Sequence, residues 1–330
     1  MDLCFRLKFD ELKPLIEKAW EITRANFPDE VHFYFPGMVR VETSFYTPSN
    51  VFRFPGISVT GTVCRLQCKH CKGTLLKSML CATTPEALFD VCLKVKETGG
   101  AGVLVTGGSL EDGSVPIKRF IPTLKRIKDE LKLRVVVHTG LVDEELAEGL
   151  AYAGIDAAMM DIVGSDETIR DVLRLNKTVA DYEASLDNLK KHHVPIVPHI
   201  VAGMHYGQIL GEKKALEMVS KYKPEALVVV ALMPLADTPM ENVRPPNPID
   251  ITRVILFARF LMPNTPIMLG CARPRGAPRS AVDVLALQAG INGIAYPSEE
   301  AYKFARRLGL KVFVHDDCCS LIWQDIALKV

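Results

Sequence analysis

Long apolar segments are absent from the 330-residue sequence. No uninterrupted apolar stretch approaches the roughly 20 residues that a membrane-spanning helix needs. The first residues, MDLCFRLKFDELK, are too charged for a secretory signal peptide. Both absences argue against membrane insertion and export, and we therefore expect a cytoplasmic protein.

The sequence also lacks an excess of either charge. Its 40 Lys and Arg residues are balanced by 39 Asp and Glu residues, so the formal net charge at pH 7 is +1. Such a chain has no overall basic field that would draw it to nucleic acid or to an anionic membrane surface. A small or protein-borne substrate is the better expectation.

Disulfides are not expected, although the sequence contains nine cysteines. Thiols stay reduced in the cytosol, and an odd count does not fit a complete disulfide framework. Metal ligation or burial in the core accounts better for these residues. The 48% hydrophobic content is enough for one large α/β barrel or two modest domains.

Short β-rich runs alternate with helical patterns, which indicates an α/β fold with parallel strands joined by crossovers. No G-x-G-x-x-G segment follows a strand and opens a helix, so the pattern favours a (β/α)8 TIM-type barrel over an open doubly wound sheet. In such a barrel the functional groups gather at the C-terminal ends of the strands. The eight predicted strands are residues 57–60, 102–106, 134–138, 155–162, 194–201, 226–232, 266–269 and 292–295.

Three segments are predicted along the chain. Residues 1–52 form an N-terminal helix and irregular cap, because the apolar residues between positions 10 and 26 recur at helical spacing. Residues 53–300 form the barrel. Residues 301–330 form a C-terminal extension, which contains a short β-rich run at 311–314 and then Cys318 and Cys319.

Cys64, Cys68 and Cys71 follow the first predicted strand, at spacings of four and three residues. A structural zinc site usually has four ligands, whereas a 4Fe–4S cluster held by three cysteines has one iron open for a substrate. The spacing therefore predicts a 4Fe–4S cluster with an open iron. A zinc knuckle or a chance grouping is the alternative.

This motif resembles that of the radical S-adenosylmethionine (SAM) superfamily, whose C-x3-C-x2-C segment follows the first strand of such a barrel. The resemblance implies that the amino and carboxylate groups of SAM chelate the open iron. An electron from the cluster then cleaves SAM and releases a 5′-deoxyadenosyl radical, which implies an electron donor such as ferredoxin or flavodoxin. His70 occupies the place where the superfamily usually puts an aromatic ring against the adenine.

Further candidates for SAM binding follow later strands. Gly107 and Gly108 stand where the superfamily often has Gly-Gly-Glu, although Ser109 replaces the acid. Asp161 is the preferred contact for the ribose, and a purely structural role is the alternative for each residue. Three polar residues lie at the ends of the third, fourth and fifth strands: His138, Asp161 and His199.

The remaining cysteines divide into two groups. Cys81 and Cys92 lie in or near the first barrel helix and are expected to be small core residues. The others can surround a second, auxiliary cluster if both termini fold over the mouth of the barrel: Cys4, Cys271, Cys318 and Cys319. Unlinked thiols are the alternative, because these separations carry no spacing signature. Adjacent cysteines also chelate poorly, so one of the pair is expected to bind.

From about residue 54 to residue 310 the chain resembles the biotin-synthase branch of the superfamily, notably at residues 232–240 and 289–294. Biotin synthase carries barrel cysteines that hold a sacrificial cluster, and His138 and His199 stand where two of them are expected. The segment Gly-Cys-Ala-Arg-Pro at 270–274 and the terminal Cys-Cys are more similar to proteins of archaea and anaerobes that include the two-component lipoyl synthase.

This closer resemblance implies a sulfurtransferase that inserts sulfur into an unactivated C–H bond of an octanoyl chain. The chain is carried on a lysine of a lipoyl carrier protein or peptide, and a second related radical protein takes part. Cys271 would be catalytic beside the sulfide of the auxiliary cluster. Arg273 or Arg275 would support that site or contact a polar group of the substrate, and a surface or salt-bridge role is the alternative for both arginines. The alternatives are a rearrangement or C–C reaction without sulfur insertion, and a noncatalytic iron–sulfur protein.

Overall fold

Eleven parallel strands form one curled sheet in the computed structural model, which describes residues 2–5, 7–37, 41–47, 52–274 and 276–329. Most strand residues are buried, as expected for parallel strands that are covered on both faces. Helices form the outer layer. The predicted α/β fold of TIM type is confirmed, in the form of a partial barrel.

Each of the eight predicted strands overlaps one observed strand, and these eight lie side by side in chain order. The additional strands are β1, β3 and β11. The strands are β1 (Glu30–Tyr34), β2 (Gly56–Ser58), β3 (Leu80–Cys81), β4 (Gly102–Thr106), β5 (Arg134–His138), β6 (Ala157–Asp161), β7 (Ile196–Ala202), β8 (Leu227–Ala231), β9 (Ile267–Leu269), β10 (Gly293–Ala295) and β11 (Lys311–His315).

The helices follow local sequence signals. For example, Thr84 caps the second helix by accepting a hydrogen bond from the Ala87 N–H at 3.2 Å, and Pro85 opens it. The helices are α1 (Phe9–Asn26), α2 (Pro85–Glu97), α3 (Ile121–Arg126), α4 (Glu144–Ala153), α5 (Asp166–Asp171), α6 (Val179–Lys191), α7 (Glu212–Ser220), α8 (Pro248–Leu261), α9 (Ala277–Gln288), α10 (Glu299–Arg307) and α11 (Ile322–Asp325). None of them, within the described ranges, is long and apolar enough to cross a membrane.

The sheet is open, whereas the pattern of eight units predicts a closed barrel. β10 pairs with β1 instead of β2, and β1 pairs in turn with β11. β11 and β3 are the two edges of the sheet that the described residues form. Segments predicted to be a cap and an extension therefore each add a strand, and these strands occupy the place where closure was expected.

The segment after β11 folds into the concave side of the sheet. Its turn Cys319–Leu321 packs against β6, β8 and β10, which are not neighbours, so the turn lies inside the curl. Arg53 pairs with Asp316 at 3.0 Å, and Arg134 pairs with Asp317. These ion pairs tie the segment to the start of β5 and to the residues before β2.

Candidate active site

The loop after β2 carries the cysteines of the predicted cluster. Cys64, Cys68 and Cys71 line one cavity of about 270 Å³ beside the C-terminal ends of the strands. The hydrogen bond from the Cys68 thiol lowers the pKa of Cys71 to about 4, although burial acts in the opposite direction. Since the thiolate is the form that binds metal, these side chains fit a cluster at one wall of the cavity.

Backbone turns fold this loop. The N–H groups of Cys71 and Lys72 both donate to the Cys68 carbonyl, at 3.3 and 2.9 Å. The Gln67 side chain donates to the Cys64 carbonyl at 2.7 Å. Gln67 and Lys72 have φ angles of 50° and 44°, which let the chain reverse twice within a few residues. The grouping of the three thiols is therefore set locally.

Gly108, just after β4, packs directly against this loop. A Cβ atom at this position would lie 2.1 Å from the Val63 carbonyl oxygen and 2.5 Å from Cys64 Cα. The Gly108 N–H donates to the Thr60 hydroxyl at 2.7 Å. The missing side chain thus makes room for the cysteine loop, while contact between Gly108 and SAM stays a prediction.

Replacing Gly108 with alanine is therefore expected to displace the cysteine loop and to remove most of the iron from anaerobically reconstituted protein. Gly107→Ala is the matched control, because a Cβ there would meet only side-chain atoms of Thr60 and Val115, at 3.0–3.2 Å, and no backbone atom of the cysteine loop. Iron analysis measures the effect, and circular dichroism separates loop displacement from unfolding. Full iron content in folded Gly108→Ala protein would contradict this role.

His70 belongs to the cysteine loop and lies close to the strand ends. Its Nδ1 atom is buried and has no hydrogen-bond partner among the described residues. Burial acts to lower the pKa of the imidazole, but the neighbouring Cys71 and Asp161 raise it above the ordinary value. The ring lines the cavity of the cysteine loop, where the sequence predicts contact with adenine.

Three predicted site residues lie side by side on adjacent strands, two of them at strand ends and His199 in the middle of β7. His138 ends β5, Asp161 ends β6, and His199 pairs with Asp161 in the register of β6 and β7. His138 Nε2 is 3.6 Å from Asp161 Oδ1, and the two imidazole rings are 5.7 Å apart. Burial raises the pKa of Asp161, but the two histidines outweigh it and bring the pKa to about 2. Burial lowers the pKa of His199 to about 4, so this imidazole is neutral at pH 7.

A second cavity, of about 220 Å³, lies next to the first. His70, His138 and Asp161 line both cavities, so the two share a wall. Most other residues of the second cavity are apolar, and the largest group of them comes from β7, β8 and the loop after β8. Three cysteines that are far apart in the sequence also line it: Cys271, Cys318 and Cys319.

The structure brings together three of the four cysteines predicted for an auxiliary cluster. Cys271, just after β9, is exposed to the second cavity, and Cys318 and Cys319 are buried. The hydrogen bond between the adjacent thiols lowers the pKa of Cys318 and raises that of Cys319. Cys4 is not with them, because its turn Asp2–Phe5 packs against α8 in the outer layer. The N-terminus does not fold over the mouth as expected.

Two family models match the chain around this site. The model of the Radical SAM superfamily matches residues 58–218, which contain the cysteine loop. The model of the Biotin and Thiamin Synthesis associated domain matches residues 229–316, which contain Cys271. The chain is a radical SAM enzyme of the biotin-synthase-like branch. Its cofactors are a 4Fe–4S cluster and SAM, and a second cluster fits the branch.

The radical SAM enzyme is similar to curated biotin synthases. It is 26% identical to that of a strain of Prochlorococcus marinus over 251 residues, which cover 73% of each chain. It is 24% identical to that of Cellvibrio japonicus (strain Ueda107) over 294 residues, which cover 84% of this chain and 80% of the relative. These relatives support the branch, while lipoyl synthase activity stays a prediction.

Solved structures share the fold of the radical SAM enzyme. Methylornithine synthase (PylB) superposes with a TM-score of 0.64 at 19% identity, and the match covers 93% of this chain and 90% of that chain. HydG, a maturase of the FeFe-hydrogenase, also superposes with a TM-score of 0.64, at 15% identity over 93% and 69% of the two chains. At these identities the likeness shows the fold alone.

Arg273 of the radical SAM enzyme takes the salt-bridge role that was the alternative to substrate contact. Its Nε and Nη2 atoms bind the two carboxylate oxygens of Asp283 at 2.7 and 3.2 Å, and both residues are fully buried. Its other N–H groups donate to the carbonyls of Gly270, Ala295 and Tyr296 at 2.6–3.0 Å. All five N–H donors of the Arg273 guanidinium are therefore used within the protein. The side chain has no free donor with which to contact a substrate. Arg273 instead holds the loop that carries Cys271.

Asp283 and Tyr182 are site residues that the sequence analysis missed. Asp283 is a charged residue on the otherwise apolar inner face of α9, and that contrast is a signal that could have indicated a buried partner. Tyr182 reaches the first cavity from α6, and its helical position gave no such signal. Arg275, the other arginine predicted here, lies outside the described residues.

Proposed function

We propose that this radical SAM enzyme inserts sulfur into an unactivated C–H bond of an octanoyl chain on a carrier-protein lysine, as a component of a lipoyl synthase. One observation supports this most strongly. Cys271, Cys318 and Cys319 line an apolar cavity that shares a wall with the cavity of the cysteine loop. A sulfur source held by these thiols would lie beside a substrate that faces the SAM site.

The first cavity has the residues to hold SAM against a cluster. Three thiols on one wall leave an iron free, and His70 and Gly107 line the space beyond them. When bound, the cluster and SAM supply a primary carbon radical by one-electron reduction. The chain's own contribution is to fix SAM beside the shared wall and to exclude water from it.

The second cavity suits an alkyl chain. Its walls include Leu104, Val201, Val230 and Leu232, and an octanoyl group would gain free energy by burying its methylene groups against them. A primary carbon radical abstracts hydrogen from the carbon that is held nearest to it. The apolar walls would therefore select the carbon by fixing its distance from the first cavity.

The thiols at the second cavity fit an auxiliary iron–sulfur cluster, because cysteine thiolates are the usual ligands of such clusters. Cys271 comes from the end of β9, and Cys318 and Cys319 come from the segment inside the curl. Since adjacent cysteines chelate poorly, one of the pair would bind iron while the other hydrogen-bonds to it. This cluster would be the sulfur source.

Charge around the cysteine loop supports an acidic electron donor such as a ferredoxin or flavodoxin. Residues 43–85 contain no Asp or Glu. Three basic side chains of the loop and the turn after it are exposed: Arg65, Lys72 and Lys77. A basic surface beside the cluster complements an acidic partner and speeds its encounter. The octanoylated carrier protein and a second related radical protein are the other proposed partners.

An anaerobic assay tests the proposed function. Reconstituted enzyme is supplied with SAM, a reductant and an octanoyl-lysine peptide, and the peptide is analysed by mass spectrometry. We expect a peptide that has gained sulfur, together with 5′-deoxyadenosine. Formation of 5′-deoxyadenosine with a rearranged, sulfur-free product would favour the rearrangement alternative. Absence of 5′-deoxyadenosine would favour a noncatalytic protein.

A further inference from the structure

Asp161 presents a carboxylate to the wall that both cavities share. Its side chain is 41% exposed, and the surface it exposes faces the cavities. Among the described residues its ion-pair partner is His138, at 3.6 Å, which is longer than a direct hydrogen bond. Burying a carboxylate in largely apolar surroundings costs free energy unless a cation or several hydrogen-bond donors compensate its charge. The site therefore has room for a positive ligand beside the carboxylate.

Two imidazoles complete a set of metal ligands around this carboxylate. One ligand atom each of His138, Asp161 and His199 lies within 4.8 Å of the other two. The His199 Nδ1 atom is buried and has no hydrogen-bond partner among the described residues. A metal ion placed between the three residues would be bound by the carboxylate and by one nitrogen of each imidazole.

The backbone holds these three ligands rigidly. They come from β5, β6 and β7, which are adjacent hydrogen-bonded strands, and Asp161 and His199 are direct register partners. Side chains on neighbouring hydrogen-bonded strands keep their separation without support from a loop. The set is therefore preorganised before any ion binds.

We propose that His138, Asp161 and His199 bind one divalent first-row transition metal ion, separately from the cysteine-held clusters. Two histidines and one carboxylate are a recurrent ligand set for ferrous iron, and they leave coordination positions open. His138 and Asp161 line both cavities, so the open positions face a bound substrate or SAM. This assignment replaces the contacts with SAM that the sequence analysis expected for these residues. It does not depend on sulfur insertion.

Manganese provides a direct test, because Mn²⁺ prefers carboxylate and water ligands and is poorly bound by thiolates. Mn²⁺ is titrated anaerobically into enzyme whose clusters are oxidised and therefore silent in electron paramagnetic resonance, and the six-line signal of free Mn²⁺ is followed. We expect one bound ion per chain. His138→Ala, His199→Ala and Asp161→Asn should each weaken its affinity by about tenfold or more.

His192→Ala is the matched control, because His192 lies 3.7 Å from Glu144 at the surface and lines neither cavity. Asp161→Asn keeps the size of the side chain, so it remains informative if a histidine variant fails to fold. No bound Mn²⁺, or unchanged affinity in all three variants, would overturn the proposal. A different result would assign these residues to SAM binding instead. In that case the unmodified enzyme binds no metal, and the three variants lose affinity for SAM.

Discussion

Replacing Cys271 with serine is expected to abolish sulfur insertion while 5′-deoxyadenosine is still formed. The reason is spatial separation, because Cys271 lines the second cavity only, whereas Cys64, Cys68 and Cys71 line the first only. SAM cleavage needs the first cluster alone, so it should continue without a coupled product. The double variant Cys318→Ser and Cys319→Ser should behave in the same way, because it removes the other thiols of this cavity.

Iron and sulfide counts distinguish this result from a general loss of clusters. We expect about eight irons per reconstituted chain for two 4Fe–4S clusters and about four in these variants. Cys81→Ser is the matched control, since Cys81 is exposed on β3 and lines neither cavity. Retained sulfur insertion in Cys271→Ser, or an unchanged iron count, would rule out the auxiliary site.

Replacing Arg273 with alanine is expected to destabilise the fold as a whole. The substitution leaves the Asp283 carboxylate buried without its cation and removes donors from three buried carbonyls. Breaking a buried ion pair by removing one partner costs about 3–5 kcal/mol. The melting temperature should therefore fall clearly. The iron held at the second cavity should fall with it, because the Gly270 carbonyl that Arg273 binds precedes Cys271 directly.

Two further variants test the reason for this loss. The double variant Arg273→Met and Asp283→Leu should recover part of the stability, because no unpaired charge remains in the core. Arg170→Ala, which breaks the exposed pair with Asp171, should leave the melting temperature unchanged. If Arg273→Ala kept the normal melting temperature and iron content but lost its product, Arg273 would be a catalytic group and the structural role would be wrong.

Local sequence patterns mark most of the strands, whereas the order of the strands in the sheet depends on distant contacts. The alternation of strands and helices located β2 and β4–β10, because each strand is marked by its own apolar residues. It did not show that β1 follows β10 in the sheet, since a five-residue strand looks the same wherever it pairs. The predicted closure was therefore incorrect, although the fold class was right.

Cys64, Cys68 and Cys71 were identified from the sequence alone, because one short loop brings their thiols together and the spacing itself encodes the geometry. Cys271 and the pair Cys318–Cys319 have no such spacing. Only the folding of the last segment into the curl places them in one cavity, and the same packing leaves Cys4 outside. The sequence thus determined which three thiols can hold the first cluster, because their spacing lies within one loop. The tertiary structure decided which distant thiols line the second cavity, because contacts between remote segments leave no regular pattern along the chain.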